Sequence, residues 1–348
     1  TEALNGDISD GSILHPHYDS AKDVVYPGIE AELLDAIRRI ELAGTFTAPG
    51  ADDLIYGGNM DNWNKFAHTL LLKIYLRQGP GGQAKAAALY ASDDQFIIAN
   101  DEMGAVRFPG GSSASNPFWN AAKSTALGNY YVATTTVLDY LTATSDPRID
   151  AFFDVNSAGV HFGEYPGDIQ NAAPDASFSR PAGALAPLGG LIFSPTAPVI
   201  LISAWEGNLL LAEAKARGWF DAATAKDSYD AGVVASFQYL GLPDSLATAY
   251  LAGGGAYSVA NPIRSIALQK WTSMNGLQPI ESWIEVRRFD TPTDHIFFGP
   301  GGLFKSPTKN ALGTDIFPSL LPYPENEESL NQNFPGQHQI TDKVFWDN

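Results

Sequence analysis

Residues 199–240 read VILISAWEGNLLLAEAKARGWFDAATAKDSYDAGVVASFQYL, and this stretch decides the fold. Its pattern predicts two helices, 199–217 and 222–240, with a turn at Gly218 and an N-cap at Asp221. Small residues in the first helix allow a partner helix to approach closely, and aromatic residues in the second fill the groove between them. These residues are Ala212, Ala214, Ala216, Tyr229 and Phe237. This is the pattern of a tetratricopeptide-like helix pair.

The rest of the chain predicts further helices and shows no sustained alternation of period two. The other predicted helices are residues 28–42, 60–77, 83–91, 131–141, 245–251, 262–275 and 277–288. Long stretches without helical periodicity lie at 93–129, 154–198 and 289–348. We therefore expect an all-α fold with little sheet, a superhelix of tetratricopeptide-like helix pairs with long irregular loops. We expect residues 1–348 to form a single domain of this kind.

The composition excludes several classes of protein. Lys and Arg number 21 and Asp and Glu number 39, so the net charge of the 348 residues is −18. An acidic chain without Lys/Arg clusters is not expected to bind nucleic acid. The absence of cysteine excludes disulfides, cysteine-ligated metal sites and a thiol nucleophile. No apolar run approaches the roughly 20 residues that a bilayer-spanning helix needs.

Segments in a fixed order along the chain resemble the motifs of one known family. They are TEALN at 1–5 with PHYDS at 16–20, NMDNWNKFAHTLLLK at 59–73, LLLAEAKARGW at 209–219, IALQKW at 266–271 with SWIEVRR at 282–288, and LPYPENE at 321–327. The ordered set is similar to that of the SusD/RagB family of outer-membrane nutrient-binding lipoproteins of Bacteroidetes. It is most similar to the SusD-like branch with the Trp-x-Lys-Phe-Ala helix.

The resemblance implies a binding protein at the cell surface and not an enzyme. Members of this family bind glycans or peptides and deliver them to a SusC-like TonB-dependent transporter in the outer membrane. No cofactor is implied. The family's signal peptide, lipidated cysteine and first helices are not in the sequence, so we expect the lipid anchor to lie outside it. Aromatic and Asn residues suit an oligosaccharide, the branch also admits an oligopeptide, and the sequence leaves this choice open.

Candidate ligand-binding residues lie in the loops 93–129 and 154–198. Trp119 follows Asn116 and Phe118 in a Gly- and Ser-rich stretch, where an exposed indole would stack on a sugar ring beside amide groups. The alternative for Trp119 is an anchor that fills a small core under the loop. The same argument selects four residues of the second loop, namely Tyr165, Asn171, Phe178 and Phe193. The resemblance supports both loops, because such loops help to form the family's ligand site.

Glycoside hydrolysis, metal binding and a protein-binding scaffold are the alternatives to nutrient binding. Glycoside hydrolysis needs two carboxylates that face each other, and the sequence does not pair any. His15 and His17 lie in a turn without carboxylates at ligand spacing, so no metal site is expected. A tetratricopeptide-like scaffold that binds only a protein partner is the other alternative. An exposed platform around Trp119 would favour the nutrient-binding function. Burial of the same residues together with an open concave groove between helices would favour the scaffold.

A charged segment near the end of the last predicted helix is interpreted as structural. Arg287 and Arg288 follow Glu285 in the segment that resembles the family motif. The guanidinium group forms two parallel hydrogen bonds with a carboxylate, which makes Arg the usual partner of a buried acid. We therefore expect these arginines to pair with buried carboxylates such as Glu206 or Glu213.

Overall fold

The structure is a computed structural model that describes residues 15–42, 48–111, 114–123, 131–165, 177–183, 192–307, 311–313 and 316–347. Within these ranges the α-helices are α1 Tyr26–Leu42, α2 Met60–Arg77, α3 Gln83–Leu89, α4 Pro117–Lys123, α5 Thr135–Ala143, α6 Ile149–Phe152, α7 Ala204–Ala216, α8 Ala225–Tyr239, α9 Asp244–Leu251, α10 Pro262–Ser273, α11 Pro279–Phe289 and α12 Glu327–Leu330. The strands are β1 Gly104–Val106, β2 Phe153–Asp154, β3 Arg180–Pro181 and β4 Val199–Ile202.

The predicted all-α class is confirmed. The helices with the clearest apolar periodicity lie within a few residues of their predicted bounds, and α2 begins and ends where the sequence predicts it. The strands of the described ranges form only two antiparallel two-stranded sheets, β1 with β4 and β2 with β3. The prediction that the fold contains little β-sheet is therefore confirmed. No helix in these ranges has the length and apolarity to cross a membrane. The prediction of a single domain stays a prediction.

The predicted central helix pair is α7 and α8. Gly218 takes a φ of +73° in the turn between them, and the Asp221 side chain accepts a hydrogen bond from the backbone N–H of Ala223 at 3.0 Å. Helix α7 packs against α2, α8 and α10 and is buried along almost its whole length. Its approach to the neighbouring segment is closest at Gly207, where a Cβ atom would lie 1.8 Å from the Ile97 carbonyl oxygen.

The first part of the predicted helix 199–217 is a strand, so this boundary was wrong. Strand β4 pairs with β1 and places Ile202 opposite Gly104. Helix α7 starts only after Ser203, whose hydroxyl accepts a hydrogen bond from the Glu206 backbone N–H at 3.2 Å. A run of four apolar residues has no periodicity that separates helix from strand, and branched Val and Ile side chains favour the strand.

The predicted loop 93–129 also contains regular structure, namely β1 and α4. Pro117 suits the first turn of α4. The first backbone N–H groups of a helix have no partner within the helix, and proline has no backbone N–H group to leave unpaired. The described parts of 154–198 and 289–348 are mostly irregular, as predicted. They contain β2, β3 and the single-turn helix α12 in addition to loops.

A buried ion network ties α7, α10 and α11 together. Both Nη atoms of Arg288 donate to the carboxylate of Glu213 at 2.6 Å, so this predicted pair is confirmed. Arg288 also donates to Glu285, which accepts a further hydrogen bond from Lys270 at 2.7 Å. Burial by itself would raise the pKa of Glu213, but Arg288 and its neighbouring cations lower that pKa to about 2. The network therefore stays ionised at neutral pH.

The other predicted pairs differ from the structure. Glu206 pairs with Lys73 at 2.5 Å and not with an arginine. Arg287 stacks between two indoles, with its guanidinium carbon 3.9 Å from the Trp283 ring centroid and 4.7 Å from that of Trp346. Arg287 also pairs with the buried carboxylate of Asp347 at 3.9 Å, so the predicted pairing with a buried carboxylate holds for Arg287, but with a partner other than Glu206 or Glu213. Arg288, the next residue of α11, points to the ion network instead, because successive residues of a helix are rotated by about 100° and face different surroundings.

Candidate ligand-binding groove

An open groove of about 810 Å³ lies where three parts of the chain meet. One wall is the start of α4, the second is strand β4, and the third is the turn between α10 and α11 at residues 275–281. The lining is largely apolar and includes Pro117, Phe118, Tyr131, Ile192, Val199, Leu201, Leu277 and Ile280. Cavities of about 300–1,000 Å³ with mostly apolar walls are typical of small-molecule sites. We call this site the groove.

Asn116 builds the first wall and does not present a free amide to the groove. Its side-chain oxygen accepts hydrogen bonds from the backbone N–H groups of Phe118 at 2.8 Å and Trp119 at 3.1 Å. Its side-chain nitrogen donates to the Ala197 carbonyl oxygen at 2.8 Å. The amide therefore caps α4 and joins it to the segment before β4. Asn116 lines the groove, but its hydrogen-bonding groups are already used.

Trp119 is buried, so the expected exposed platform is absent at this residue. Its side chain is 9% exposed and packs against Phe193, which is 7% exposed, with ring centroids 4.8 Å apart. Both rings belong to a small cluster that also includes Phe118. Trp119 and Phe193 thus match the alternative prediction, an anchor that fills a small core under the loop. The helical start at Pro117 explains this, since it turns the indole inward while Phe118 stays at the groove.

Phe118 and Tyr131 form the aromatic wall of the groove. Their rings meet edge to face with centroids 4.7 Å apart, a favourable geometry for aromatic pairs. Phe118 is held from behind by Phe193 at 5.3 Å. Tyr131 is exposed, and no hydrogen bond of its hydroxyl is found among the described residues. The pair offers a ring surface and one free hydroxyl to a ligand.

Strand β4 forms the second wall and has an unpaired edge. It pairs with β1 on one side and, within the ranges that the structure describes, with no strand on the other. Val199 and Leu201 are 42% and 40% exposed, whereas Ile200 and Ile202 between and after them are buried. The apolar side chains of one strand face are thus open to the groove.

The carboxylate of Glu281 and the amide of Gln278 in the third wall are committed to partners, whereas the side-chain amide of Asn275 makes no hydrogen bond to any described residue. Glu281, the one carboxylate among the described lining residues, pairs with Arg77 and with Lys73. The Gln278 side chain donates to Glu206 at 2.9 Å and accepts from the Ser203 hydroxyl at 2.8 Å. The groove is therefore close to electrically neutral in a chain of net charge −18.

Two further cavities adjoin the groove at the α10–α11 turn. A cleft of about 440 Å³, which we call the Trp271 cleft, is lined by Thr134, Thr136, Val137, Trp271, Asn275, Phe304, Lys305, Pro307, Ile316, Phe317 and Pro318. A smaller cavity of about 240 Å³ shares Asn275, Gly276 and Pro279 with the groove, and Trp271, Asn275 and Phe304 with the cleft. Asn275 lines all three cavities.

A family model described as SusD-like_2, "Starch-binding associating with outer membrane", matches residues 1–324. The chain belongs to the SusD-like family. The resemblance of the ordered motifs to this family is thereby confirmed. A search of curated protein sequences finds no match.

Solved structures of SusD-like proteins share the fold of this chain. A chitin-binding protein has a TM-score of 0.77 at 22% identity, over 96% of this chain and 74% of that one. A chitin-binding SusD homologue from Flavobacterium johnsoniae has a TM-score of 0.75 at 21% identity, over 98% and 76%. A SusD homologue from Bacteroides fragilis has a TM-score of 0.76 at 20% identity, over 99% and 78%. At these identities the likeness concerns the fold alone.

Two further predicted ligand residues of this SusD-like chain, Tyr165 and Phe178, do not line the groove. The Tyr165 hydroxyl donates to the Ser306 carbonyl oxygen at 2.8 Å. Phe178 stacks on Phe162 with ring centroids 5.6 Å apart. Asn171 lies outside the described residues. Of the seven predicted residues, the structure brings Asn116 and Phe118 to the groove, with Trp119 and Phe193 behind Phe118.

Sequence reasoning missed the parts of the SusD-like groove that come from other regions of the chain. Tyr131, β4 and residues 275–281 carried no motif that marked them as ligand-binding. One signal existed for the third wall, because Asn275 and Gly276 interrupt two helices, and Gly276 takes a φ of +69° there. Polar residues beside such a turn are frequent in binding sites, but their position next to Phe118 depends on tertiary packing.

Proposed function

We propose that this SusD-like protein binds an uncharged oligosaccharide nutrient in the groove without catalysis. The observation that carries the proposal is a neutral, aromatic-walled groove in a chain whose family model is described as starch-binding. Two of the solved structures with this fold are described as chitin-binding, which supports a glycan. Hydrolysis would need a second carboxylate facing Glu281, and the described lining residues supply none.

We propose further that the protein lies at the cell surface and delivers its ligand to a SusC-like TonB-dependent transporter. The family description supports an association with the outer membrane. A lipid anchor on the full-length precursor would hold the protein there. Co-purification of the tagged precursor from solubilised outer membranes tests this step, with the transporter identified by mass spectrometry. Absence of a TonB-dependent transporter from the complex would contradict it.

Calorimetry with purified protein tests the binding proposal. The ligands are malto-, chito- and xylo-oligosaccharides, with an acidic galacturonan fragment as the charged comparison. Phe118→Ala removes the aromatic wall and is expected to weaken binding about tenfold, since a well-packed aromatic contact contributes more than 1 kcal/mol. Phe178→Ala is the matched control, because this half-buried ring stacks on Phe162 away from the groove. Equal losses in both variants, or no binding of any neutral oligosaccharide, would refute the proposal.

An oligopeptide is the second candidate ligand, and the unpaired edge of β4 favours it. An extended peptide that adds to a strand edge forms main-chain hydrogen bonds and places alternate side chains in pockets. Val199 and Leu201 would meet apolar side chains of such a peptide. Binding of short apolar peptides, but of no oligosaccharide, in the same calorimetric series would favour this candidate.

A further inference from the structure

We infer that the Trp271 cleft is a second sugar subsite, so that the ligand is an oligosaccharide long enough to occupy the groove and the cleft together. The inference rests on the proposed function, because it assigns a further part of the same ligand's site. The length of the oligosaccharide that binds is then set by the groove and the cleft together.

The first support is the shared wall between the cavities. The small cavity has three lining residues in common with the groove and three with the cleft. Asn275 in the turn that follows α10 lines all three cavities, and Gly276 beside it lines the groove and the small cavity. A chain-like ligand that crosses this turn would therefore reach from the groove to the cleft.

The second support is the mixture of groups that line the cleft. Trp271 and Phe304 lie side by side with ring centroids 5.7 Å apart, and Phe317 extends this aromatic surface. The hydroxyls of Thr134 and Thr136 have no hydrogen-bond partner in the described part of the structure. Lys305 adds a donor at the mouth of the cleft. Ring surface beside free donors and acceptors suits a sugar, which presents both a flat apolar face and hydroxyls.

The third support is the amide of Asn275. Its side chain is half-buried and makes no hydrogen bond to any described residue, whereas the amides of Asn116 and Gln278 are fully engaged. A ligand that crosses the turn would pair its hydroxyls with this amide. A sugar confined to the groove would find few free polar partners, and each hydroxyl buried without one costs about 1–3 kcal/mol. The hydroxyls of Thr134 and Thr136 in the cleft add polar contacts to the one that Asn275 offers at the turn.

A length series tests the inference on the purified full chain. Affinity is measured by calorimetry from the disaccharide to the octasaccharide of the neutral sugar that binds best. For the wild type we expect affinity to rise about tenfold or more once the oligosaccharide reaches the cleft, as one or two hydrogen bonds with stacking would give. Thr136→Trp fills the cleft and is expected to abolish this rise while it leaves the affinity of the shortest bound sugar unchanged.

Thr142→Trp is the matched control, since Thr142 is exposed on the same helix α5 and lines none of the three cavities. Its length series should follow the wild type. Should Thr136→Trp fail to fold, Ile316→Trp tests the same cleft from its opposite, 45% exposed wall.

Asn275→Leu gives an independent readout, with Asn261→Leu at the other end of α10 as its control. The Asn275 variant is expected to weaken the longest oligosaccharide about fivefold, the loss of one net hydrogen bond. An affinity that does not depend on length, or a rise that survives in Thr136→Trp, would overturn the inference and leave the groove as the whole site. Failure of the wild type to bind any oligosaccharide would overturn the proposed function and the inference with it.

Discussion

The pair of Glu213 with Arg288 predicts a large, pH-dependent loss of stability in the variant Glu213→Gln. The carboxylate accepts two hydrogen bonds of 2.6 Å from Arg288 and one of 2.8 Å from Arg217, and it is fully buried between α7 and α11. Removing one partner of a buried pair leaves an uncompensated charge and typically costs about 3–5 kcal/mol. We expect a loss of this size in the free energy of unfolding at pH 7.

The pKa of Glu213 gives a second, independent magnitude. Burial opposes ionisation, yet the neighbouring cations lower this pKa from its ordinary 4.5 to about 2. At about 1.4 kcal/mol for each pH unit, the lowering corresponds to about 3 kcal/mol. Because the folded pKa lies below the unfolded one, this stabilisation is complete above about pH 4.5. It is lost progressively as the pH falls from 4.5 through about 2, and below that pH the carboxylate is protonated in both states.

Urea denaturation of the wild type and of Glu213→Gln at pH 7, 4 and 3 measures both effects. The difference between them should be greatest at pH 7 and should shrink between pH 4.5 and 2. Glu328→Gln is the control, because Glu328 is exposed and has no ion pair in the described part of the chain, and it should stay within about 0.5 kcal/mol of the wild type. A difference below 1 kcal/mol at pH 7, or one that is equal at pH 7 and pH 3, would refute this account.

Single contacts inside the fold can be tested in the same way by three further variants. Trp119→Ala should cost about 3–5 kcal/mol in urea denaturation, because the indole is 9% exposed and packs on Phe193; a cost below 1 kcal/mol would mean that the indole is not an anchor. Gly207→Ala should destabilise by about 3 kcal/mol, because its Cβ would meet the Ile97 carbonyl oxygen; an unchanged melting temperature would exclude this close approach. Asp53→Ala should shift the fluorescence of Trp63, whose indole N–H donates to Asp53 at 2.8 Å, and an unchanged emission would contradict that contact.

The fold was largely predictable because helical periodicity and turn residues are local signals. Helix α2 has the predicted bounds, and the turn at Gly218 and the cap at Asp221 are where the sequence placed them. The error at 199–202 has a physical cause, since four consecutive apolar residues carry no period. Whether such a run becomes strand or helix depends on a partner, and here the partner β1 is about a hundred residues away.

The site was predictable only in part, because its walls are far apart in sequence. The loop around Asn116 and Phe118 was identified from its composition, but composition does not say which of two adjacent aromatic residues points inward. Phe118 lines the groove and Trp119 does not, because α4 starts at Pro117 and sets the direction of both side chains. Burial of Trp119 is one of the two features expected of a protein scaffold, and the exposed platform expected of a nutrient-binding site is not found at this residue. Support for nutrient binding comes instead from the family and the groove.

The distribution of charge explains how an acidic chain keeps a neutral ligand site. The buried basic side chains of the described ranges are Lys73, Arg148, Lys215, Lys270, Arg287 and Arg288, and the buried acidic ones are Asp146, Glu206, Glu213, Glu285 and Asp290. These sets nearly balance, so the charge of −18 belongs to the rest of the chain. The groove lacks that excess negative charge because its carboxylate, Glu281, pairs with the buried Lys73 and with the half-buried Arg77. An anionic glycan would approach against a negative surface, whereas a neutral one would not. The ion pairs of Lys73 and Arg77 on α2 with Glu281 on α11 thus favour an uncharged ligand.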